Sequence, residues 1–111
     1  MEFLTKLEEL ILLSVWRLGV NAYGTTIYRY IRTVSGKNVS LGGVYFPLDR
    51  LANKGYLRVY NAPATPERRG LSRRYYQLTS KGEEALNEAK RINELFWAGY
   101  GLPSPASGEI R

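Results

Sequence analysis

The fold is decided by residues 39–60, which read VSLGGVYFPLDRLANKGYLRVY. Ser40 is placed to cap the N-terminus of a helix, and Gly55 after Lys54 is typical of a helix end. Residues 56–60 then alternate between apolar and polar side chains, which predicts a strand. The apolar residues of the helix recur at spacings of three and four, so they form one inner stripe: Leu41, Val44, Leu48 and Leu51.

Pro47 lies about two turns inside this helix. A proline there deletes one backbone hydrogen bond, and its ring can clash with the carbonyl of Gly43, at a cost of about 3 kcal/mol. We therefore expect a kink, or a short first segment that ends and re-forms near Pro47. The face opposite the inner stripe carries Gly42, Tyr45, Phe46, Asp49, Arg50 and Asn53.

Another helix is predicted near the N-terminus. Thr5 and Glu8 have the spacing of a capping box, and Gly19 supplies the stop. Leu13 and Trp16 make this helix apolar on more than one side, so either the helix is central or a partner covers its second face. The main apolar positions are Leu7, Leu10, Ile11, Val15 and Leu18.

A second helix, a second strand and a basic loop complete the middle of the chain. The helix is predicted from about residue 25 to residue 34, before Ser35-Gly36, and residues 74–78 alternate like a strand. The connection between the strands is longer than a usual hairpin loop and rich in Pro, Arg and Gly, which favours a functional loop. The inner stripe of the second helix is Ile27, Ile31 and Val34.

The last helix is predicted to open with a second capping box, formed by Ser80 and Glu83. Its apolar residues recur at spacings of four and three, which is typical of a short coiled-coil seam. Gly99 and Gly101 end the helix, and residues 102–111 are expected to form a disordered tail. The seam consists of Ala85, Ala89, Ile92, Phe96 and Gly99.

The composition excludes several classes of function. The 111 residues include no His, no Cys and a single aspartate, so they offer no nucleophile–histidine pair, no thiolate zinc site and no aspartate pair. We therefore expect no enzyme, no metal and no cofactor. Acidic residues precede the only short apolar stretch near the N-terminus, unlike a signal peptide, and no stretch is long enough to cross a membrane. These features predict a cytoplasmic protein with no membrane contact.

The order of the elements and the charge distribution both indicate DNA binding. Three helices, two strands and a final helix predict a mainly α fold with a β-hairpin wing, a winged helix-turn-helix. The net charge of +6 is concentrated in the middle of the chain, as a polyanion-binding surface requires. Gly42 and Gly43 keep the start of the third helix small enough to approach the major groove, and the wing supplies arginines. The expected partner is double-stranded DNA.

A set of motifs lies in residues 4–12, 21–24, 39–45, 48–51, 54–57, 65–70 and 73–79, with Gly82. Together these segments resemble the PadR family of transcriptional regulators, over roughly residues 4–92. The resemblance implies a winged-helix homodimer joined through the last helix and the first, which mostly represses transcription and often responds to small molecules such as phenolic acids or drugs. Many members have proline directly after the tyrosine matched by Tyr45, whereas Phe46 intervenes here.

The resemblance also divides the chain and assigns its surfaces. Residues 1–79 would form the DNA-binding domain and residues 80–101 the dimerisation helix. With no separate effector domain, any aromatic small-molecule effector would sit at the dimer interface, where Phe96 and Trp97 could line a pocket or simply form interface core. The predicted dimer-interface residues are Leu7, Ile11, Ala85, Ala89, Ile92, Leu95 and Phe96.

The predicted DNA contacts lie on the third helix, just before it, and on the wing. Tyr45 could contact the groove or pack on the second helix, and Lys37 and Arg50 could clamp phosphates or simply be solvated. Arg74 could contact DNA or pair with Asp49 or Glu67. The full set is Lys37, Ser40, Gly42, Tyr45, Arg50, Arg68, Arg69, Arg73 and Arg74.

The predicted function is a transcriptional regulator, most simply a repressor, that reads a palindromic operator as a homodimer. Its half-sites would lie about one helical turn apart. The alternative is a winged-helix module that binds another protein through the same basic face. A strongly salt-dependent preference for one DNA sequence would separate the two.

Overall fold

The computed structural model describes residues 2–63 and 72–106. In this part of the chain the elements follow the predicted order, which confirms a mainly helical fold with an antiparallel hairpin. Residues 64–71 of the hairpin loop and residues 107–111 of the predicted tail lie outside the described residues. The elements are α1 (Lys6–Leu18), a 3-10 turn (Gly19–Asn21), α2 (Gly24–Ser35), α3 (Leu41–Asn53), β1 (Leu57–Ala62), β2 (Arg73–Leu78) and α4 (Ser80–Trp97).

The first helix, α1, begins and ends where the sequence predicts. The Thr5 side-chain oxygen accepts from the backbone N–H of Glu8 at 3.1 Å, and the Glu8 carboxylate accepts from the backbone N–H of Thr5 at 2.9 Å. Gly19 ends the helix with a φ of 58°, a conformation that favours glycine. One side of α1 is buried in the core, while Leu13 and Trp16 on the other side are exposed.

Two residues predicted for the inner stripes lie outside the core. Val34 is 67% exposed and Leu41 is 43% exposed. Val34 belongs to the last turn of α2 and Leu41 is the first residue of α3. Both therefore lie beyond the region where the helices pack together, although their spacing fits the stripe. The buried stripes are shorter than predicted: Ile27 and Ile31 in α2, and Val44, Leu48 and Leu51 in α3.

Of the two alternatives predicted for Pro47, the separate first segment is wrong, because α3 runs without interruption from Leu41 to Asn53. A kink within this continuous helix stays a prediction. The proline removes only the hydrogen bond to the carbonyl of Gly43. Val44 and Leu48, on either side of Pro47, are fully buried in the same core. Packing against one core thus holds both halves in a single helix despite the lost bond.

The predicted cap of α4 is displaced by one residue. Thr79, not Ser80, is the N-cap, and its side-chain oxygen accepts from the N–H of Gly82 at 3.0 Å. The Thr79 hydroxyl also donates to the carbonyl of Gly55 at 2.6 Å. Because Thr79 serves both the start of α4 and the turn after α3, the cap lies one residue before the predicted position.

The core lies where α1, α2 and α3 meet the hairpin. The register pairs Leu57 with Leu78 and Tyr60 with Tyr75. Tyr76 of β2 also donates its N–H to the carbonyl of Ala22 at 2.9 Å. This bond joins β2 to the turn between α1 and α2, so the hairpin is held beside the helix pair. The most deeply buried apolar side chains are Ile11, Leu12, Ala22, Ile27, Val44, Leu48, Leu51 and Tyr76.

Gly82 provides a test of how closely α4 approaches the turn before β1. A Cβ atom at this position would collide with the backbone carbonyl of Tyr56, which cannot rotate away. We expect Gly82→Ala to lower the free energy of unfolding by about 1–3 kcal/mol, as measured by urea denaturation. Gly42→Ala is the matched control, since a Cβ there meets no atom within 4 Å. Equal stability of Gly82→Ala and the wild type would contradict the close contact.

Candidate nucleic-acid interface

Because the inner face of α3 is buried in the core, its outer face is exposed to solvent. Val44 and Leu48 point into the core, whereas Tyr45 is 39% and Phe46 75% exposed. Ser40 caps the helix as predicted, because its side-chain oxygen accepts from the N–H of Gly43 at 3.0 Å. Phe46 was not among the predicted contacts, although its position opposite Val44 and Leu48 could have indicated it.

The two glycines at the start of α3 have different surroundings. A Cβ on Gly43 would meet the capping oxygen of Ser40, so Gly43 supports the cap. A Cβ on Gly42 would meet nothing within 4 Å. The fold therefore does not require glycine at position 42, and the small residue leaves the backbone open to close approach from outside.

Tyr45 packs on α2 and remains partly exposed. Its ring and hydroxyl lie against Gly24, so closely that a Cβ on Gly24 would overlap them. Gly24 is buried at the first position of α2. Of the two alternatives for Tyr45, packing on the second helix is therefore seen in the structure. This contact holds the tyrosine ring between the starts of α2 and α3.

Aromatic contacts anchor the base of the wing. The Arg73 guanidinium lies 4.1 Å from the centre of the Tyr23 ring, close enough for a cation–π interaction. Tyr75 contacts Tyr23 edge-on and stacks on Tyr60 across the hairpin. Arg73 is consequently half-buried and held beside the start of α2.

Two of the predicted phosphate contacts have carboxylate partners in the structure. Arg74 lies 3.6 Å from Asp49, which was one of its predicted alternatives. Arg50 lies 3.7 Å from Glu8. Lys37 is exposed after α2, and no ion pair holds it within residues 2–63 and 72–106. Arg68 and Arg69 lie outside the described residues.

Glu8 is a buried charge that the sequence analysis treated only as a cap. Its side chain is 3% exposed, and its carboxylate lies 3.7 Å from both Arg50 and Lys54. Burial alone would raise the pKa of Glu8, but the hydrogen bond from Thr5 and the two nearby cations hold the pKa below its ordinary value. No local spacing could indicate this pairing, because the partners are more than 40 residues apart in the chain.

The α1 and α4 surfaces differ in part from the predicted dimer interface. Ile11 and Ala85 are buried in the core of the single chain, so they are not on the surface that a partner could contact. Leu7, Ala89 and Ile92 are partly buried, and Leu95 and Phe96 are exposed. The C-terminal half of α4 therefore presents more apolar surface than its first half.

Grooves run along both sides of α4. One, of about 590 Å³, is lined by Phe96 and Ile92 together with the segment before α1. The other, of about 710 Å³, is lined by Leu13 and Trp16 of α1 and by Leu86. Trp97, for which a pocket with Phe96 and interface core were the two alternatives, packs edge-on against Tyr100.

Within the part of the chain that the structure describes, no helix is long and apolar enough to span a membrane. Across residues 2–63 and 72–106, no three His, Cys, Asp or Glu side chains are grouped so that they could hold a metal ion.

Comparison with known proteins places this arrangement among transcription regulators. The transcriptional regulator PadR-like family matches residues 12–88. The chain is similar to a PadR family transcription regulator from Clostridium difficile R20291, with 26% identity, a TM-score of 0.68, and coverage of 85% of this chain and 92% of that one. It is also similar to a PadR-like transcriptional regulator from Bacillus cereus, with 25% identity, a TM-score of 0.69, and coverage of 83% of this chain and 84% of that one. Among curated proteins, none matches the chain.

Proposed function

Because the chain belongs to the PadR-like family of transcriptional regulators, we propose that it is a cytoplasmic homodimer that represses transcription by binding a palindromic operator. The family assignment makes the chain a DNA-binding regulator rather than an enzyme. The observation that supports the operator-binding proposal most directly is the exposed face of α3, which begins at an unobstructed Gly42.

In this proposal α3 enters the major groove with its N-terminal end foremost. Gly42 lets the backbone approach the DNA, and the first amides of the helix favour phosphate. Tyr45 and Phe46 then face the base edges, where an aromatic side chain can contact the methyl group of thymine. Since Tyr45 is fixed by its contact with Gly24, it would be ordered before DNA arrives.

The wing and the turn before α3 supply the phosphate contacts. Arg73 is held beside α2 by Tyr23. Arg68 and Arg69 in the loop between the strands, and Lys37 before α3, add further positive charges. Each phosphate neutralised by such a cation releases counterions, so the affinity for DNA should fall steeply as the salt concentration rises. Arg50 and Arg74 have carboxylate partners, and we assign them a smaller share of the DNA contacts.

The α4 surface supports a dimer. Leu95, Phe96 and Trp97 lie on one end of this helix with most of their surface exposed. A second copy would cover them and also Leu13 and Trp16 of α1, which answers why α1 is apolar on two sides. The grooves beside α4 would then become enclosed, and an aromatic effector could bind there against Phe96.

Gly42→Ala tests the placement of α3 in the groove. The probes are a duplex selected by the wild type from a random DNA library and a scrambled duplex of the same composition. By fluorescence anisotropy at several salt concentrations, the wild type should prefer the selected duplex, with a steep salt dependence. The variant should bind it about tenfold more weakly, while its stability is unchanged or raised by up to about 1 kcal/mol.

The outcomes distinguish the parts of the proposal. Unchanged affinity of Gly42→Ala would remove the start of α3 from the DNA contact. Equal binding of both duplexes by the wild type would contradict sequence-specific recognition. No binding at low salt would instead favour a protein-interaction module that uses the basic face.

Ile92→Glu tests the dimer. Ile92 lies half-buried in the middle of α4, so the new carboxylate would be buried without a partner in the dimer. We expect monomers by sedimentation velocity and loss of affinity for the selected duplex. Thr33→Glu adds the same charge on the exposed side of α2 and should leave the dimer intact. A persistent dimer of Ile92→Glu would show that the seam of α4 is not the interface.

A further inference from the structure

The C-terminal end of α3 is joined to both helices that we propose form the dimer. From α1, the Glu8 carboxylate approaches Lys54 at 3.7 Å. From the start of α4, the Lys81 ammonium donates to the carbonyl of Lys54 at 2.8 Å, and the Thr79 hydroxyl donates to the carbonyl of Gly55 at 2.6 Å. The end of the helix that reads DNA is thus held from two sides.

Glu8 makes two separable sets of contacts. One carboxylate oxygen accepts from the backbone N–H of Thr5 and completes the cap of α1. The other oxygen lies 3.7 Å from Arg50 and 3.7 Å from Lys54. A glutamine could keep the first contact, since glutamine also serves at this position of a capping box. It could not keep the charge that attracts the two cations.

The ion pairs contribute to the stability of the fold, but desolvating the Glu8 carboxylate offsets part of the attraction that it gains from the two cations. Arg50 and Lys54 are themselves partly exposed, with side-chain exposures of 53% and 37%, so water can solvate them if the carboxylate loses its charge. The pairs also fix the position of α3, because one buried carboxylate on α1 attracts cations from two consecutive turns at the end of α3.

We infer that Glu8 is a positioning residue for DNA recognition, acting through Arg50 and Lys54 to fix the angle of α3 against α1. This inference rests on the proposed function, since it assigns to α1 the placement of the helix that enters the groove. It also gives Arg50 a role within the protein, in keeping with its smaller share of the DNA contacts.

The test compares Glu8→Gln with Thr5→Ala in the full-length protein. Glu8→Gln removes the pairs of Glu8 with Arg50 and Lys54 and keeps the cap, while the pair of Lys54 with Glu2 remains. Thr5→Ala removes the cap's hydroxyl and keeps the charge of Glu8. The measured quantity is the ratio of affinities for the selected and scrambled duplexes. Glu84→Gln, an exposed position on α4, controls for the same change in net charge.

Glu8→Gln should lower the affinity ratio by about tenfold, comparable to one mismatched base pair, by weakening binding to the selected duplex. Thr5→Ala should lower the midpoint of thermal unfolding by about 5 °C and leave the ratio within twofold of the wild type. A ratio for Glu8→Gln that matches Glu84→Gln would overturn the inference. So would an equal fall in the ratio for Thr5→Ala, because the effect would then follow stability.

Amide hydrogen exchange gives a second readout that needs no DNA. In Glu8→Gln the exchange should become faster in residues 49–54 at the end of α3 and stay unchanged in the first turn of α1. Thr5→Ala should show the opposite pattern. Unchanged exchange in α3 would overturn the inference even if the wild type is sequence-specific. A wild type without DNA preference would overturn the proposed function, and exchange would still decide whether Glu8 holds α3.

Discussion

The burial of one face of α3 is the constraint on which the rest of the structure depends. Val44, Leu48 and Leu51 are fully buried where α1, α2 and the hairpin meet, and each contributes about 1.5–3 kcal/mol of burial free energy. That packing carries the helix through Pro47 without a break. It also leaves Gly42, Tyr45 and Phe46 no position except on the outside, where a DNA groove could receive them.

The surroundings of α3 link the proposed dimer to the proposed DNA contact. The N-terminal end of α3 packs on α2 through Tyr45 and Gly24, and its C-terminal end is held by Glu8 of α1 and Lys81 of α4. A shift of α1 against α4 would therefore act directly on the C-terminal end of α3.

The sequence predicted the elements well because their signals are local. The capping box of Thr5, the stop at Gly19 and the cap at Ser40 each depend on residues three or four apart, and all three are present. Periodicity predicted Leu41 and Val34 as buried, but it does not show where along a helix packing ends. Ile11 and Ala85 were wrongly assigned to the dimer interface for a similar reason, since spacing cannot distinguish residues of a chain's own core from residues that contact a partner.

Apart from the pair of Arg74 with Asp49, which was one of the predicted alternatives, the long-range polar contacts described above could not be predicted. Glu8 meets Arg50, and Thr79 meets the carbonyl of Gly55, across tens of residues. Glu8 and Arg50 already had sufficient local roles as a capping residue and a solvated charge, and the cap of α4 had been assigned to Ser80 rather than to Thr79. Arg73 could be recognised as basic, but its place over Tyr23 follows from the register of the hairpin and the bond from Tyr76 to Ala22. Such contacts arise only when distant elements are brought together.

The most direct test of the central claim is photo-crosslinking from the outer face of α3. A benzophenone side chain in place of Phe46 would lie within reach of base edges if α3 occupies the major groove, whereas the same group in place of Leu95 on α4 would not. The account predicts a crosslink from position 46 to bases of the selected duplex and none from position 95. Retained DNA binding without any crosslink from position 46 would contradict it.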